Sequence, residues 1–421
     1  MNDILDELQW RGLVAQTTDE DALRAALAAG PITYYCGFDP TAPSLHIGNL
    51  VQLLVMRHLQ RAGHRPLCLV GGSTGLIGDP KATSERKLNT RETVGQWVAK
   101  IQEQVRPFLD LDGPNAAVLV NNLDWTAPLS ALDFLRDVGK HFRVGTMIRK
   151  DAVAARLSSP EGISYTEFSY QLLQGLDFHQ LYRSHGCVLQ TGGNDQWGNL
   201  TAGVDLIHRT EGASVHLLTT PLITRSDGTK FGKTEAGTVW LDPQMTSPYA
   251  FYQFWLNADD ASVAGHLKVF TDRTRDEVAA LEREVEERPH AREAQRTLAR
   301  EVTRLVHGPA ATAAVEAASA ALFGRGDLSA LDEATLRDAT SELGRATVPG
   351  AEVGVLELLV ASGLASSRSA ARRTVDEGAA YVNNVKVTDH EARLRPEDLL
   401  HGRYAVLRRG RRTLSAVEVT G

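Results

Sequence analysis

The chain has 421 residues, 43% of them hydrophobic and 23% charged, the balance of a soluble globular protein too long for one ordinary core, so two or three domains are expected. A formal net charge of −7 argues against a protein coated everywhere with nucleic acid but leaves room for local basic patches. Three widely spaced cysteines, Cys36, Cys68 and Cys187, without a Cys-x-x-Cys pair, argue against a disulfide scaffold and a structural zinc site.

The start, Met1-Asn2-Asp3, has no basic region leading into an apolar run, so no signal peptide is expected. No segment approaches the roughly 18 to 20 apolar residues that span a bilayer, so no membrane partner is expected and a reducing cytoplasm fits. Ile32 to Phe38 reads as a buried strand. A helix follows, with Ile47, Leu50 and Leu54 on one face and Gly63 just past its end. Pro66 to Val70 is the next strand and runs into the turn Gly71-Gly72-Ser73-Thr74-Gly75. Strand, helix, strand in this order predicts a right-handed βαβ unit and a parallel sheet. Ala116 to Val120 and Cys187 to Gln190 are further strand candidates. These elements predict an α/β domain over residues 1–247. Residues 248–323, rich in Ala, Leu, Glu and Arg, read as an all-helical domain. Residues 324–350 have linker composition, and 351–421 read as a small α+β module with two helices followed by short strands.

Two segments carry phosphate chemistry. Asp39-Pro40-Thr41-Ala42-Pro43-Ser44-Leu45-His46-Ile47-Gly48-Asn49 lies where a strand ends and a helix begins, the place where α/β folds bind ligands. The helix start offers backbone N–H groups and positive dipole to a phosphate, Thr41 and His46 add donors, and Gly48 lets a flat base approach. Alone, His-x-Gly is short enough to occur by accident. Lys230-Phe231-Gly232-Lys233-Thr234 follows the polar stretch Thr224 to Thr229 and reads as part of a mobile loop whose lysines can grip a polyphosphate. Alone, it equally describes a solvated basic loop. Tyr170, Gln174 and Asp177 form a third group, spaced i, i+4, i+7 so that a helix points them one way amid apolar neighbours. A solvent-facing polar stripe has the same spacing.

Together the first two motifs resemble the paired signatures of class I aminoacyl-tRNA synthetases, and Lys-Phe-Gly-Lys-Thr is similar to that of the bacterial-type tyrosyl-tRNA synthetases. So are Tyr35-Cys36-Gly37-Phe38-Asp39-Pro40-Thr41, Gly75-Leu76-Ile77-Gly78-Asp79-Pro80, Gly192-Gly193-Asn194-Asp195-Gln196-Trp197-Gly198-Asn199 and Leu8-Gln9-Trp10-Arg11-Gly12. The resemblance implies a doubly wound, Rossmann-like catalytic domain, a helical domain and an S4-like RNA-binding module. It implies activation of L-tyrosine with ATP and Mg²⁺, no tightly bound cofactor and no dedicated metal site. Transfer to tRNA(Tyr) by a homodimer follows. Asp79, Tyr170 and Gln174 would then hold the α-ammonium group, Tyr35 and Asp177 the phenol, and Gln196 the carboxylate. Cys36, Gly37, Asp39, Gly193 and Asp195 would line the nucleotide site with Thr41, His46, Gly48 and Asn49. Thr41, His46, Lys230 and Lys233 would stabilise the reacting phosphates. Buried partners for a phenol would be left unpaired by phenylalanine, a physical basis for specificity.

Two features depart from the pattern. Asn49 stands where the signature usually has a second histidine, and Lys81 to Lys87 is shorter than in the family, which leaves phosphate roles for Lys81 and Arg86 open. The C-terminal module puts Arg368, Arg372 and Arg373 on a helix and Arg408, Arg409, Arg411 and Arg412 near the end, a concentration suited to RNA phosphates. Three other readings remain at this point. A tryptophanyl enzyme would share the ATP motifs, but Tyr35 and Asp177 favour a phenol. A small-molecule adenylyltransferase would not need the C-terminal module. An inactive relative that only binds RNA would not need the intact Thr41, His46, Lys230 and Lys233.

Overall fold

A computed structural model describes residues 3–81, 84–224, 231–234, 237–350, 352–410 and 413–420, with the backbone alone for 233–234. The chain forms two units, one of Met1–Met245 and Asp259–Ala294, the other of Thr246–Ala258 and Gln295–Gly421. Among the described residues no helix is long and apolar enough to cross a membrane.

The first unit is built on six strands: β1 (Gln16–Thr17), β2 (Thr33–Phe38), β3 (Arg65–Val70), β4 (Val118–Asn121), β5 (Cys187–Gly193) and β6 (His216–Thr220), in the order β1-β6-β5-β2-β3-β4. Neighbours from β6 to β4 run parallel, and β1 closes one edge antiparallel. Both faces of β2 and β3 are covered, which is why they read as continuous apolar runs: Tyr34, Tyr35, Cys36, Leu67, Cys68 and Leu69 are all buried. The chain winds from β2 through β3 to β4, then lays β5 on the other side of β2. That reversal between β2 and β5 is a topological switch point, where the C-terminal ends of parallel strands open a crevice. The helix Ile47–Arg61 joins β2 to β3 and buries Ile47, Leu50 and Leu54, the face that the spacing predicts. Beyond β6, the short strands β7 (Lys233–Thr234) and β8 (Gly237–Thr238) pair antiparallel.

The second unit carries a five-stranded sheet in the order β12-β11-β14-β15-β9, made of β9 (Arg345–Pro349), β11 (Ala380–Val382), β12 (Val385–Lys386), β14 (Tyr404–Arg409) and β15 (Thr413–Thr420), with a small pair, β10 (Val353–Gly354) and β13 (Arg393–Leu394), beside it. Helices Val355–Ala361 and Arg368–Asp376 cover the sheet through Leu356, Leu359, Ala371 and Val375. The turn between β11 and β12 uses Asn383 and Asn384 at positive φ, the residues a tight hairpin turn favours.

Two domain expectations need correction. Residues 248–323 are helical but do not form one body: Pro248–Leu256 belongs to the second unit and Asp260–Phe270 to the first. Composition specifies a helix without saying which core its apolar face joins. Residues 324–350 are not a linker, since they form the helix Glu333–Glu342 and β9, which lies parallel to β15 and buries Val348. Two of the polar residues behind its loop-like composition are helix caps: Asp332 accepts from the Thr335 N–H at 2.9 Å, and Asp327 from the Ser329 N–H at 2.8 Å.

Candidate active site

The C-terminal ends of β2 and β5 and the start of the helix Ile47–Arg61 surround a cleft of about 630 Å³. From β2 and the segment after it come Tyr35, Cys36, Gly37, Asp39, Thr41 and His46; from the helix start, Gly48 and Asn49. The helix Tyr170–His185 contributes Tyr170, Gln174 and Asp177. Asp79 follows the glycine-rich turn after β3, while Gly193, Asp195 and Gln196 end β5 and open the next helix. Every residue expected at the nucleotide or amino-acid site whose side chain is described therefore lines one cleft. Lys230, Arg411 and Arg412 lie outside the described residues, as does most of the loop expected before Lys230, and only the backbone of Lys233 is described.

At the inner end, the Asp177 carboxylate accepts from Asn122 Nδ2 and Trp125 Nε1, both at 2.9 Å. Burial pushes the carboxyl up to about 8, although both donors favour its charge. The Tyr35 hydroxyl is buried beside it with no hydrogen-bond partner among the described residues, and burial raises that phenol well above its ordinary value. A buried, unpaired hydroxyl next to a buried carboxyl is costly unless a ligand supplies the missing group.

Nearer the mouth, Asp39 accepts from the Tyr170 hydroxyl and from Thr74 Oγ1, each at 2.6 Å. Burial raises the Asp39 carboxyl, and these two hydroxyls pull it back. Because the Tyr170 hydroxyl donates to Asp39, its lone pairs are left to accept. Gln174 Oε1 is buried without a partner among the described residues. Asp79, Tyr170 and Gln174 thus present three oxygen acceptors, the complement of an ammonium group with three N–H donors.

The helix start differs from the sequence reading in one respect. The Ile47 N–H donates to the Val239 carbonyl at 3.3 Å and the Asn49 N–H to the His46 carbonyl at 2.9 Å, so the seat of open amides is narrower than expected. Asn49 Oδ1 accepts the His46 N–H at 3.0 Å and so caps the helix. Gly48 has a steric reason to be glycine: a Cβ there would stand 2.9 Å from His46 Cε1. At Gly193 a Cβ would fall 2.6 Å from an Asp195 carboxylate oxygen. Lys81 and Arg86, whose roles the sequence leaves open, both line the cleft. Burial pushes the Cys36 thiol up to about 12, so it is uncharged near neutrality.

Sequence reasoning missed Asn122 and Trp125. The signal was there: Asn121-Asn122 follows an apolar strand, the position where α/β sheets place ligand-facing groups. It also missed Lys150, whose Nζ lies 3.0 Å from Asp79 Oδ1, because nothing local marks a lysine 71 residues from its partner. In the second unit, Arg368, Arg372 and Arg373 are exposed on their helix, whereas Arg408 stacks 4.0 Å from the Tyr381 ring centre and Arg409 Nη1 donates to the Leu364 carbonyl at 3.2 Å.

Comparison with known proteins agrees with this geometry. Residues 27–324 match the family described as tRNA synthetases class I (W and Y), and residues 335–417 match the tyrosine--tRNA ligase SYY-like C-terminal domain. The chain is 65% identical to the tyrosine--tRNA ligase of Streptomyces avermitilis over 100% of both chains, and 66% identical to that of Streptomyces griseus over 100% of this chain and 99% of the relative. Among solved structures, a C-terminally truncated Coccidioides posadasii mitochondrial tyrosyl-tRNA synthetase matches with a TM-score of 0.67 at 32% identity, over 75% of this chain and 91% of that one. A Plasmodium falciparum tryptophanyl-tRNA synthetase, at 12% identity and a TM-score of 0.55 over 79% of this chain and 87% of that one, shares the fold. Joined to a cleft that presents buried acceptors for an ammonium group and a phenol, these full-length identities establish that the chain belongs to the tyrosine--tRNA ligase family.

Proposed function

We propose that this chain activates L-tyrosine with Mg²⁺-ATP in the cleft and then transfers the tyrosyl group to tRNA(Tyr). The observation that carries the reading is the buried Tyr35 hydroxyl, without a hydrogen-bond partner among the described residues, beside Asp177 in a cleft that also bears three acceptors for an ammonium group. Asp79, Tyr170 and Gln174 hold the ammonium group, Tyr35 and Asp177 the phenol, and Gln196 helps to place the carboxylate. Cys36, Gly37, Asp39, Gly193 and Asp195 line the nucleotide side together with Gly48 and Asn49. The tyrosine carboxylate oxygen attacks the α-phosphorus, the bond to the bridging oxygen breaks, and pyrophosphate leaves with the electron pair. No covalent enzyme intermediate is needed. Thr41, His46, Lys230 and Lys233 stabilise the charge that grows on the leaving phosphates, and positioning supplies the rest. A ribose hydroxyl at the tRNA 3′ end then attacks the adenylate carbonyl and AMP departs.

The exposed helix face bearing Arg368, Arg372 and Arg373 supports RNA binding by an S4-like module, to which Arg408, Arg409, Arg411 and Arg412 also belong. Exposed apolar side chains concentrated at Leu129, Leu132, Leu135, Val144 and Ile148 support a homodimer. Three free, buried cysteines fit a cytoplasmic location. Pyrophosphate exchange measured with each amino acid in turn tests the reading. Exchange should depend on tyrosine and be negligible with tryptophan or phenylalanine. Equal exchange with tryptophan would overturn the assigned specificity, and no exchange with any amino acid would leave an RNA-binding protein.

A further inference from the structure

The Asp79 carboxylate is held from behind. Its Oδ1 accepts from Lys150 Nζ and from Asn199 Nδ2, both at 3.0 Å, and its Oδ2 accepts from Gln196 Nε2 at 3.3 Å. Lys150 Nζ also donates to Asn199 Oδ1 at 2.7 Å, and Asn199 Nδ2 reaches Gln196 Oε1 at 2.8 Å. Asp79 and Gln196 line the cleft; Lys150 and Asn199 stand behind them, outside its lining. The lysine is largely buried, its side chain 14% exposed, and its stem lies along Gly198, where a Cβ would come within 3.6 Å of Lys150 Cγ. A lysine so enclosed, with one carboxylate partner, is not a surface ion pair of little consequence.

From this arrangement we infer that Lys150 is a positioning residue for the amino-acid substrate. With Asn199, it fixes the orientation of the Asp79 carboxylate so that the α-ammonium group meets a correctly turned acceptor. The inference rests on the proposed role of Asp79 as the ammonium acceptor. Each half of the network has a distinct task. Lys150 pairs its charge with Asp79 Oδ1 at 3.0 Å and so holds the carboxylate from behind the cleft wall. Asn199 is fully buried and satisfied on both sides, accepting from Lys150 and donating to Asp79 and Gln196, so it locks the register between the lysine, the ammonium acceptor and the residue that places the carboxylate. Because Lys150 acts through Asp79, its influence is confined to ligands that carry an ammonium group.

That confinement gives the test. Equilibrium binding to the full-length protein is measured for three ligands: L-tyrosine, tyramine, which keeps the ammonium and lacks the carboxylate, and 3-(4-hydroxyphenyl)propanoate, which keeps the carboxylate and lacks the ammonium. Lys150→Met should weaken tyrosine and tyramine by about ten- to hundredfold and leave the propanoate unchanged, since a hydrogen bond to a charged group is worth about that factor. Lys150→Arg, which can still reach both oxygens, should recover most of the loss. If Lys150→Met does not fold, Lys150→Gln is measured in its place, with the same expectation. Equal weakening of all three ligands would reduce Lys150 to a structural role and overturn the inference. So would weakening of the propanoate with tyramine unaffected, which would mean that the lysine serves the carboxylate directly. Failure of the unaltered protein to bind tyrosine would instead overturn the reading of the cleft, and this inference with it.

Discussion

Asp177 sits where two demands conflict: burial favours its neutral form, and the donors Asn122 and Trp125 favour its charge. In the unfolded chain this carboxyl ionises near 3.8; burial in the folded protein pushes it up to about 8. Between those values the folded protein holds a proton that the unfolded chain has released. This group's contribution to stability is therefore present at low pH and is lost as pH rises through the window. A phenol that donates to Asp177 favours the carboxylate and pulls its ionisation downward again. Tyrosine binding then releases a proton, so affinity should strengthen as pH rises toward about 8 and level off above it. One linked proton limits the slope to about tenfold per pH unit. Calorimetric titration across this range should show that trend in the unaltered protein and a flat profile in Asp177→Asn. A flat profile in the unaltered protein would mean that Asp177 is already ionised before tyrosine arrives.

At the scale of single elements, the helix Ile47–Arg61 shows how one residue can serve structure and chemistry together. Asn49 occupies the third helical position and reaches back to the His46 N–H, which would otherwise lack that acceptor. Asn49→Ala should cost about 1 kcal/mol of stability and lower Tm by about 2–4 °C in a domain of this size. It should also slow activation, because His46 and Gly48 at the same helix start line the cleft. Asn49→Gln, which keeps an amide able to reach the same N–H, should restore Tm. An unchanged Tm in Asn49→Ala would show that the bond carries no weight. The element was legible in the sequence because its apolar spacing fixed a buried face; the departure at Asn49 was legible only as a departure, since capping is a relation between a side chain and a backbone. The same division holds elsewhere. Tyr170, Gln174 and Asp177 could be grouped from their spacing because one helix carries them. Asn122, Trp125 and Lys150 could not, because the tertiary fold alone brings them to Asp177 and Asp79. Residues 324–350 were misread for a third reason: capping residues and linker residues are the same amino acids.

The whole molecule invites a cut, and the structure determines where it can fall. Ending the chain near Pro349 would keep β9 and remove β15, the strand it pairs with over Arg345–Pro349, leaving an open edge and an unburied Val348. A cut after Gly324 removes the helix Glu333–Glu342 and the whole five-stranded sheet together. It uncovers the face of the helix Pro248–Leu256 on which Glu333–Glu342 packs, so the shortened protein should melt at a lower temperature. Every described cleft residue precedes the cut, so tyrosine-dependent pyrophosphate exchange should stay close to that of the full chain. Aminoacylation should fall severely, because the cut removes Arg368, Arg372 and Arg373 with their exposed helix, along with the later arginines. Each lost phosphate contact should also reduce the salt dependence of tRNA binding, by about 0.7 to 0.9 log units of affinity per log unit of salt. The measurement is exchange against charging for the two proteins, with tRNA affinity followed across a salt series. A truncated protein that charges tRNA as well as the full chain, with the same salt slope, would move RNA recognition out of the C-terminal module altogether.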